Sequence, residues 1–188
     1  MIVYLHGFRS SPASRKATML RDALTARGRS AEYLCPALPA SPSQSIDVVL
    51  GSVRGMEPAR LALIGSSLGG YYATWLAEQL GCRAVLLNPA IRPQDDLARY
   101  IGVQPVYFSE AQMDFRREYL DELEAIDTPA ITRPERYLLL AATGDPVIDY
   151  RTMVQKYRRA QQHVIAGSDH ELSNFADFID EVLAFCDA

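Results

Sequence analysis

The sequence predicts an α/β fold: a mostly parallel sheet of about six strands, with helices on both faces and a small cap insertion. Three observations predict it. Short apolar runs alternate with helical patterns along the chain, as in a sheet whose crossovers cover it on both sides. Those runs are continuous rather than alternating, so each strand is buried on both faces. The 188 residues are 48% hydrophobic and 22% charged, a globular composition in a chain long enough to bury roughly 70% of its extended surface.

Each element has its own signal. Ile2-Val3-Tyr4-Leu5 is the first strand. A helix is expected from Ser14, a residue type that caps, to Gly28, a residue type that ends helices. Glu32-Tyr33-Leu34-Cys35 reads as the second strand, ended by Pro36. Ile46, Val49, Leu50 and Val53 recur at i, i+3, i+4, i+7 and mark one buried helix face. Leu61-Ala62-Leu63-Ile64 is the third strand, followed by a helix from Tyr72 to Leu80 and a fourth strand at Ala84-Val85-Leu86-Leu87. Ile91 to Pro134 then breaks the rhythm, with tyrosines, acids and one amphipathic stretch (Tyr119, Leu120, Leu123, Ile126). An insertion of this length between two strands is expected to be a cap on one domain spanning 1–188, not a second domain. Tyr137-Leu138-Leu139-Leu140-Ala141 restores the sheet, Asp149 is placed to cap a helix carrying Met153, Val154 and Tyr157, and His163-Val164-Ile165-Ala166 is the last strand. The final helix puts Phe175, Phe178, Ile179, Val182, Leu183 and Cys186 on one face.

A formal net charge of −4 argues against nucleic acid or an anionic membrane as partner, because both reward a basic face. Cys35, Cys82 and Cys186 are odd in number and form no C-x-x-C pair. With three histidines available, no zinc-like ligand spacing exists. The cysteines, the absence of a charged leader and the absence of any apolar run near the ~20 residues of a membrane span point to a cytoplasmic protein. Oligomeric state is left open.

One motif carries chemistry. Gly65-Ser66-Ser67-Leu68-Gly69 matches G-x-S-x-G, in which a serine sits on a sharp strand-to-helix turn. Average glycine and serine frequencies give about 0.06 chance matches in a chain of this length. Here the motif directly follows an apolar strand and opens a helix, which is the context the chemistry requires. Only Ser67 has glycine at both −2 and +2, so Ser67 and not Ser66 is the expected nucleophile. The helix behind it offers free N–H groups and a positive dipole end to a developing oxyanion. The first strand ends in His6-Gly7-Phe8, and the loop after an early strand donates one oxyanion N–H while the residue after the nucleophile donates the other. Phe8 and Leu68 are the expected donors. His6 is expected to brace the loop by hydrogen bonding.

A general base must come from later in the chain. His170 follows the last strand in Gly167-Ser168-Asp169-His170, and loops at strand carboxyl ends are where open α/β sheets place their sites. His163 falls inside a strand. Asp145, in Thr143-Gly144-Asp145-Pro146, follows the penultimate strand and is the expected acid. Asp149 reads as a helix cap, and Asp169 adjoins the histidine too closely for a good Nδ1 bond. The order Ser67, Asp145, His170 is that of α/β-hydrolases. Tyr71 and Tyr72 are candidate substrate-binding residues, and Tyr100, Tyr107 and Phe115 further candidates for an acyl or aromatic pocket.

Tyr4-Leu5-His6-Gly7-Phe8 with Ser10-Ser11-Pro12, Gly65 through Trp75, Asn88-Pro89-Ala90, and Thr143-Gly144-Asp145 with Asp149-Tyr150-Arg151 together resemble the bacterial YqiA/YcfP-type family of small esterases. The α/β-hydrolase pattern covers the whole chain, starting at what would be the third strand of the full fold. The resemblance implies a cytoplasmic carboxylic-ester hydrolase with Ser67, Asp145 and His170 as its triad, no metal and no organic cofactor. The expected substrates are small esters of short to medium acyl chains. A thioesterase of acyl-CoA, an acyltransferase with the same triad, and a non-catalytic ligand-binding relative are the alternatives. Arg9, beside the oxyanion loop, is given no role.

Overall fold

The buried apolar runs become strands β1 (Ile2–Leu5), β2 (Tyr33–Leu34), β3 (Ala62–Ser66), β4 (Arg83–Leu87), β7 (Tyr137–Ala142) and β8 (Gln161–Ile165), with β5 (Gly102–Pro105) and β6 (Gln112–Phe115) forming a separate antiparallel hairpin. The helices are α1 (Arg15–Ala26), α2 (Pro42–Ser52), α3 (Leu68–Leu80), α4 (Pro93–Leu97), α5 (Glu118–Ala125), α6 (Tyr150–Lys156) and α7 (Ile179–Asp187). The structure is a computed structural model and describes residues 1–107 and 109–188. The main sheet has the order β2-β1-β3-β4-β7-β8, and every pairing in it is parallel.

Side-chain alternation along the strands sorts the core into two layers. Val3, Leu5, Leu63, Leu86 and Leu139 pack against α2, α3 and α6 through residues such as Val49, Leu76 and Met153. Ile2, Tyr4, Ile64, Val85 and Leu140 face the other way, against Leu20 and Leu24 of α1 and Val182 and Leu183 of α7. Strands buried on both sides need no polar face, which is why the sequence shows unbroken apolar runs. Among the described residues, no helix is long and apolar enough to cross a membrane.

The register aligns the strand ends. Leu5 pairs with Gly65, Ser66 with Leu87, and Leu87 with Leu140. The loops after β1, β3, β4, β7 and β8 therefore emerge along one edge.

Several boundaries differ from expectation. The second strand shrinks to Tyr33–Leu34 because Ser30–Glu32 close a 3-10 turn before it. α3 starts at Leu68, four residues before the expected Tyr72, so Gly69 and Gly70 are helical despite their low propensity. Close packing explains them: a Cβ on Gly69 would lie 2.0 Å from the Leu5 carbonyl oxygen, and one on Gly65 2.2 Å from the Gly69 carbonyl oxygen. Phe175 and Phe178 lie in a 3-10 turn ahead of α7 rather than within it. The segment between β4 and β7 holds α4, the hairpin and α5, of which the sequence pattern announced only α5.

Candidate active site

Ser67 sits where β3 turns into α3, with φ 53° and ψ −118°, a region that a residue with a side chain enters only under local constraint. Its backbone is fixed on both sides: its N–H donates to the Leu87 carbonyl (3.0 Å), and its carbonyl accepts from the N–H groups of Gly70 (2.9 Å) and Ala90 (3.0 Å). Ser66 and Leu68 are buried, whereas Ser67 alone in Leu61–Gly70 is partly exposed. That contrast fits the register expected for the motif. Leu68 opens α3, so its N–H belongs to the first turn and has no intrahelical partner.

His170 reaches Ser67 from the loop after β8. Its Nε2 lies 3.1 Å from Ser67 Oγ, and its Nδ1 lies 2.7 Å from Asp145 Oδ2. The Asp145 side chain has no exposure, and its second oxygen accepts from the N–H groups of Val147 (2.7 Å) and Ile148 (3.0 Å). A buried carboxylate with three donors is held in place. Such a carboxylate holds the imidazole proton on Nδ1 and leaves Nε2 free to accept from the serine. The two rival acids are occupied elsewhere. Asp149 caps α6 through the Arg151 N–H, and Asp169 accepts from the Ser173 N–H and hydroxyl, which holds its carboxyl below the ordinary range.

The loop carrying His170 is anchored by residues that leave little mark in the sequence. Asn88, fully buried with φ 43°, donates from Nδ2 to the carbonyls of Asp169 (2.9 Å) and His170 (3.1 Å), while its Oδ1 accepts from the Ala142 N–H (2.8 Å). One side chain thus ties the end of β7 to the histidine loop. Lys16, buried on α1, holds the same loop by donating to the Glu171 carbonyl (2.7 Å) and carboxylate (2.9 Å). The sequence signals for Asn88 are its place in Asn88-Pro89-Ala90 and an amide at a strand's carboxyl end, in a conformation that asparagine tolerates.

On the other side of Ser67 lies the loop after β1. A Cβ on Gly7 would lie 3.3 Å from Ser67 Cβ, so the loop passes directly over the serine. His6 Nε2 accepts from the Leu38 N–H, which puts the ring proton on Nδ1, facing the Gly7 carbonyl (3.1 Å). Burial holds its pKa below the ordinary value, so His6 is a neutral brace, as expected. Arg9, at φ 60°, fastens the hairpin: its Nε donates to the Pro105 carbonyl (2.9 Å), its carbonyl accepts from the Tyr107 N–H (2.7 Å), and its guanidinium lies over the Tyr107 ring. Phe8 packs against Phe115 and Tyr100 at centroid distances of 5.1 and 5.6 Å. Under this roof is a cavity of about 330 Å³ bordered by Phe8, Leu68, Leu38, Tyr72, Val106 and Met113.

The two tyrosine candidates separate. Tyr72 borders the cavity. Tyr71 does not: it is buried, its hydroxyl donates to the Leu123 carbonyl (2.8 Å), and its ring faces the Lys156 ammonium, so it joins α3 to α5 and α6. Of the other aromatics, Phe115 and Tyr100 support Phe8 from behind and Tyr107 holds Arg9.

Residues 1–187 match the model of the family described as "Uncharacterised protein family (UPF0227)", and the chain belongs to that family. Among curated proteins it is similar to dipeptidyl aminopeptidase B of Saccharomyces cerevisiae, 25% identical over 133 residues; the match spans 65% of this chain and 16% of that protein's length. Among solved structures it resembles alpha/beta hydrolase domain-containing protein 10 from mouse (15% identity, 97% of this chain and 89% of that one, TM-score 0.71). It also resembles the esterase domain of a Rhodothermus marinus protein (22% identity, 97% and 83%, TM-score 0.64). At these identities the likeness establishes the α/β-hydrolase fold.

Proposed function

We propose that this member of the family is a serine hydrolase that cleaves carboxylic esters through an acyl-enzyme. The observation that carries the reading is the continuous run from Asp145 through His170 to Ser67, at 2.7 and 3.1 Å, beside a helix N-terminus and a cavity. Ser67 Oγ attacks the acyl carbonyl as His170 Nε2 takes its proton, and Asp145 keeps the imidazole in the required tautomer and stabilises the imidazolium. The carbonyl oxygen, now an alkoxide, lies against the N–H groups of Phe8 and Leu68. Its electron pair re-forms the C=O bond and expels the leaving alkoxide, which takes the proton from His170. Water, with His170 again as base, then releases the acid and restores Ser67. No step calls for a metal or an organic cofactor, and Cys35, Cys82 and Cys186 are all free thiols, in keeping with a reducing compartment such as the cytoplasm.

The cavity volume supports short to medium acyl chains, being at the low end of the ~300–1,000 Å³ range of small-molecule sites. Each buried methylene is worth about 0.8 kcal/mol, so kcat/KM rises about fourfold per carbon until the pocket is full. Kinetics on p-nitrophenyl esters from C2 to C16, alongside acyl-CoA thioesters, test this. A maximum at short or medium chains is expected. A maximum at C16 contradicts the acyl preference, and turnover of thioesters alone would make the protein a thioesterase.

A further inference from the structure

The role of Tyr72 rests on the hydrolase reading, in which the leaving group faces His170 and takes its proton. The acyl substituent of a carbonyl held between the Phe8 and Leu68 amides then points to the opposite side, into the cavity that Gly7, Phe8 and Leu68 border. Most of that cavity is apolar, with Leu38, Pro39, Val106 and Met113 among its walls. Its polar side chains are those of His6, Arg9, Ser10, Gln112 and Tyr72, and of these Tyr72 is the one that stands on the helix opened by Leu68. It follows Leu68 by one helical turn and therefore shares its face of α3. It is 3% exposed, yet its hydroxyl makes no hydrogen bond with any described residue and is not sealed off from the cavity it borders. Three of the other four buried tyrosines among the described residues are engaged: Tyr71 with the Leu123 carbonyl, Tyr137 with Glu78, and Tyr157 with the Thr74 hydroxyl; the fourth, Tyr4, does not border the cavity. A hydroxyl so buried and so unpartnered is the kind that a ligand satisfies.

We propose that the Tyr72 hydroxyl donates a hydrogen bond to a neutral oxygen carried by the acyl chain, so that the preferred substrates are esters of short hydroxy- or keto-acids rather than of plain fatty acids. Burial, aided by the nearby Glu122 carboxylate, keeps the hydroxyl protonated and hence a donor. Glu122 is itself fixed by the Ser41 hydroxyl (2.7 Å) and the Ser43 N–H (2.9 Å), and its negative charge disfavours an anionic acyl tail at this wall. The one cation bordering the cavity among the described residues, Arg9, is held at the hairpin by the Pro105 carbonyl and the Tyr107 ring.

The test compares p-nitrophenyl esters matched in length: butanoate with 3-hydroxybutanoate, pentanoate with 4-oxopentanoate, hexanoate with 5-oxohexanoate, and a hemisuccinate as the anionic control. The wild type should favour at least one oxygenated member by about 10-fold in kcat/KM, the size of one satisfied hydrogen bond. Tyr72→Phe should bring that ratio to about one. Because the hydroxyl is unbonded in the free protein, Tyr72→Phe should also leave the melting temperature as high as the wild type's or higher. A ratio near one for every pair in the wild type, a ratio unchanged in the variant, or the largest gain with the hemisuccinate overturns the assignment. So does a fall of several degrees in melting temperature, which would place the hydroxyl's partner inside the protein. Turnover of plain esters without oxygen preference contradicts only the role of Tyr72, whereas a wild type inert to every ester contradicts the hydrolase reading beneath it.

Discussion

The two ends of the sheet turn the chain in different ways. At the amino ends, the helices return to the strands through glycines in left-handed conformations, Gly28 before β2, Gly55 before β3 and Gly81 before β4, with φ between 70° and 77°. At the carboxyl ends, positive φ falls mostly on residues with side chains: Arg9 after β1, Ser67 after β3, Asn88 after β4, and Ser168 and Leu172 after β8, where Gly167 is the one glycine among them. Each such non-glycine residue costs on the order of 1–3 kcal/mol unless its surroundings hold it. The difference teaches where this molecule keeps strain. At the amino ends the turn needs only to reverse direction, and a glycine does so without contacts. At the carboxyl ends the side chain is the point of the turn, because Ser67, Asn88 and the His170 loop must converge within hydrogen-bond reach.

The contrast can be broken by substitution, and the largest effect belongs to the carboxyl edge. Asp145→Asn should keep the fold and lower kcat by up to about 10⁴, because an amide supports the wrong imidazole tautomer. Asp149→Asn should change kcat little, since asparagine caps a helix about as well as aspartate. Steady-state kinetics of the two variants decide the matter, and reversed losses would mean that the acid is Asp149. Next is Asn88→Ala, which strips hydrogen bonds from two loop carbonyls and the Ala142 N–H. A shift of the histidine by about an ångström should cost about 10²-fold in kcat with little change in KM. Stability should fall by about 2–3 kcal/mol in chemical denaturation. A variant that loses stability but keeps kcat would show that Asn88 serves the fold alone.

Away from that edge, substitutions should move stability and leave kcat alone. Glu78 on α3 accepts from the Thr132 hydroxyl (2.6 Å) and N–H (3.1 Å) and from the Tyr137 hydroxyl, with the Arg136 guanidinium at 3.5 Å. Burial pushes its carboxyl up, but the hydrogen bonds from Thr132 and Tyr137 and the Arg136 charge outweigh it and leave the group below its ordinary value. A lowered carboxylate contributes fully above its ordinary pKa of about 4.3, and the contribution is lost as pH falls through the lower folded value. Glu78→Gln should therefore cost about 1–2 kcal/mol at pH 7. The gap between variant and wild type in melting temperature should narrow on acidification below about pH 4. A gap that widens in acid would contradict the balance of causes. The smallest effect is that of Gly28→Ala. Nothing lies within 4 Å of the added Cβ, so only the left-handed φ of 70° counts, at about 1 kcal/mol with kcat unchanged.

The same contrast sets what the sequence makes legible. The strands are visible because burial on both faces removes polar residues from them, and Ser67 is visible because close packing at Gly65 and Gly69 writes glycines at fixed spacing around it. Asp145 and His170 follow from chain order, since each must come from the carboxyl end of a later strand. Asn88 leaves almost no trace: its partners are backbone groups 54 to 82 residues away, and a carbonyl has no residue type. The β5–β6 hairpin is hidden for a related reason. It is short, contains Pro105, and is fastened by Arg9 and Phe8 from the far side of the sequence rather than by its own pattern. The roles of Tyr71 and Tyr72 part only in three dimensions, because adjacent helical residues point about 100° apart and one meets α5 while the other meets the cavity.

The most direct measurement is covalent labelling of the wild-type protein with a fluorophosphonate at about pH 8, followed by peptide mapping. A serine whose hydroxyl stays protonated and unassisted does not react on a useful timescale, whereas one bonded to His170 and facing two amide donors is phosphonylated. One label per chain is expected, carried by Ser67 and absent from Ser66. Labelling should be abolished together with ester hydrolysis in Ser67→Ala. Folded wild-type protein that takes up no label would contradict the hydrolase reading and make this chain a binding relative of the hydrolases, and a label on Ser66 would contradict the register of the turn.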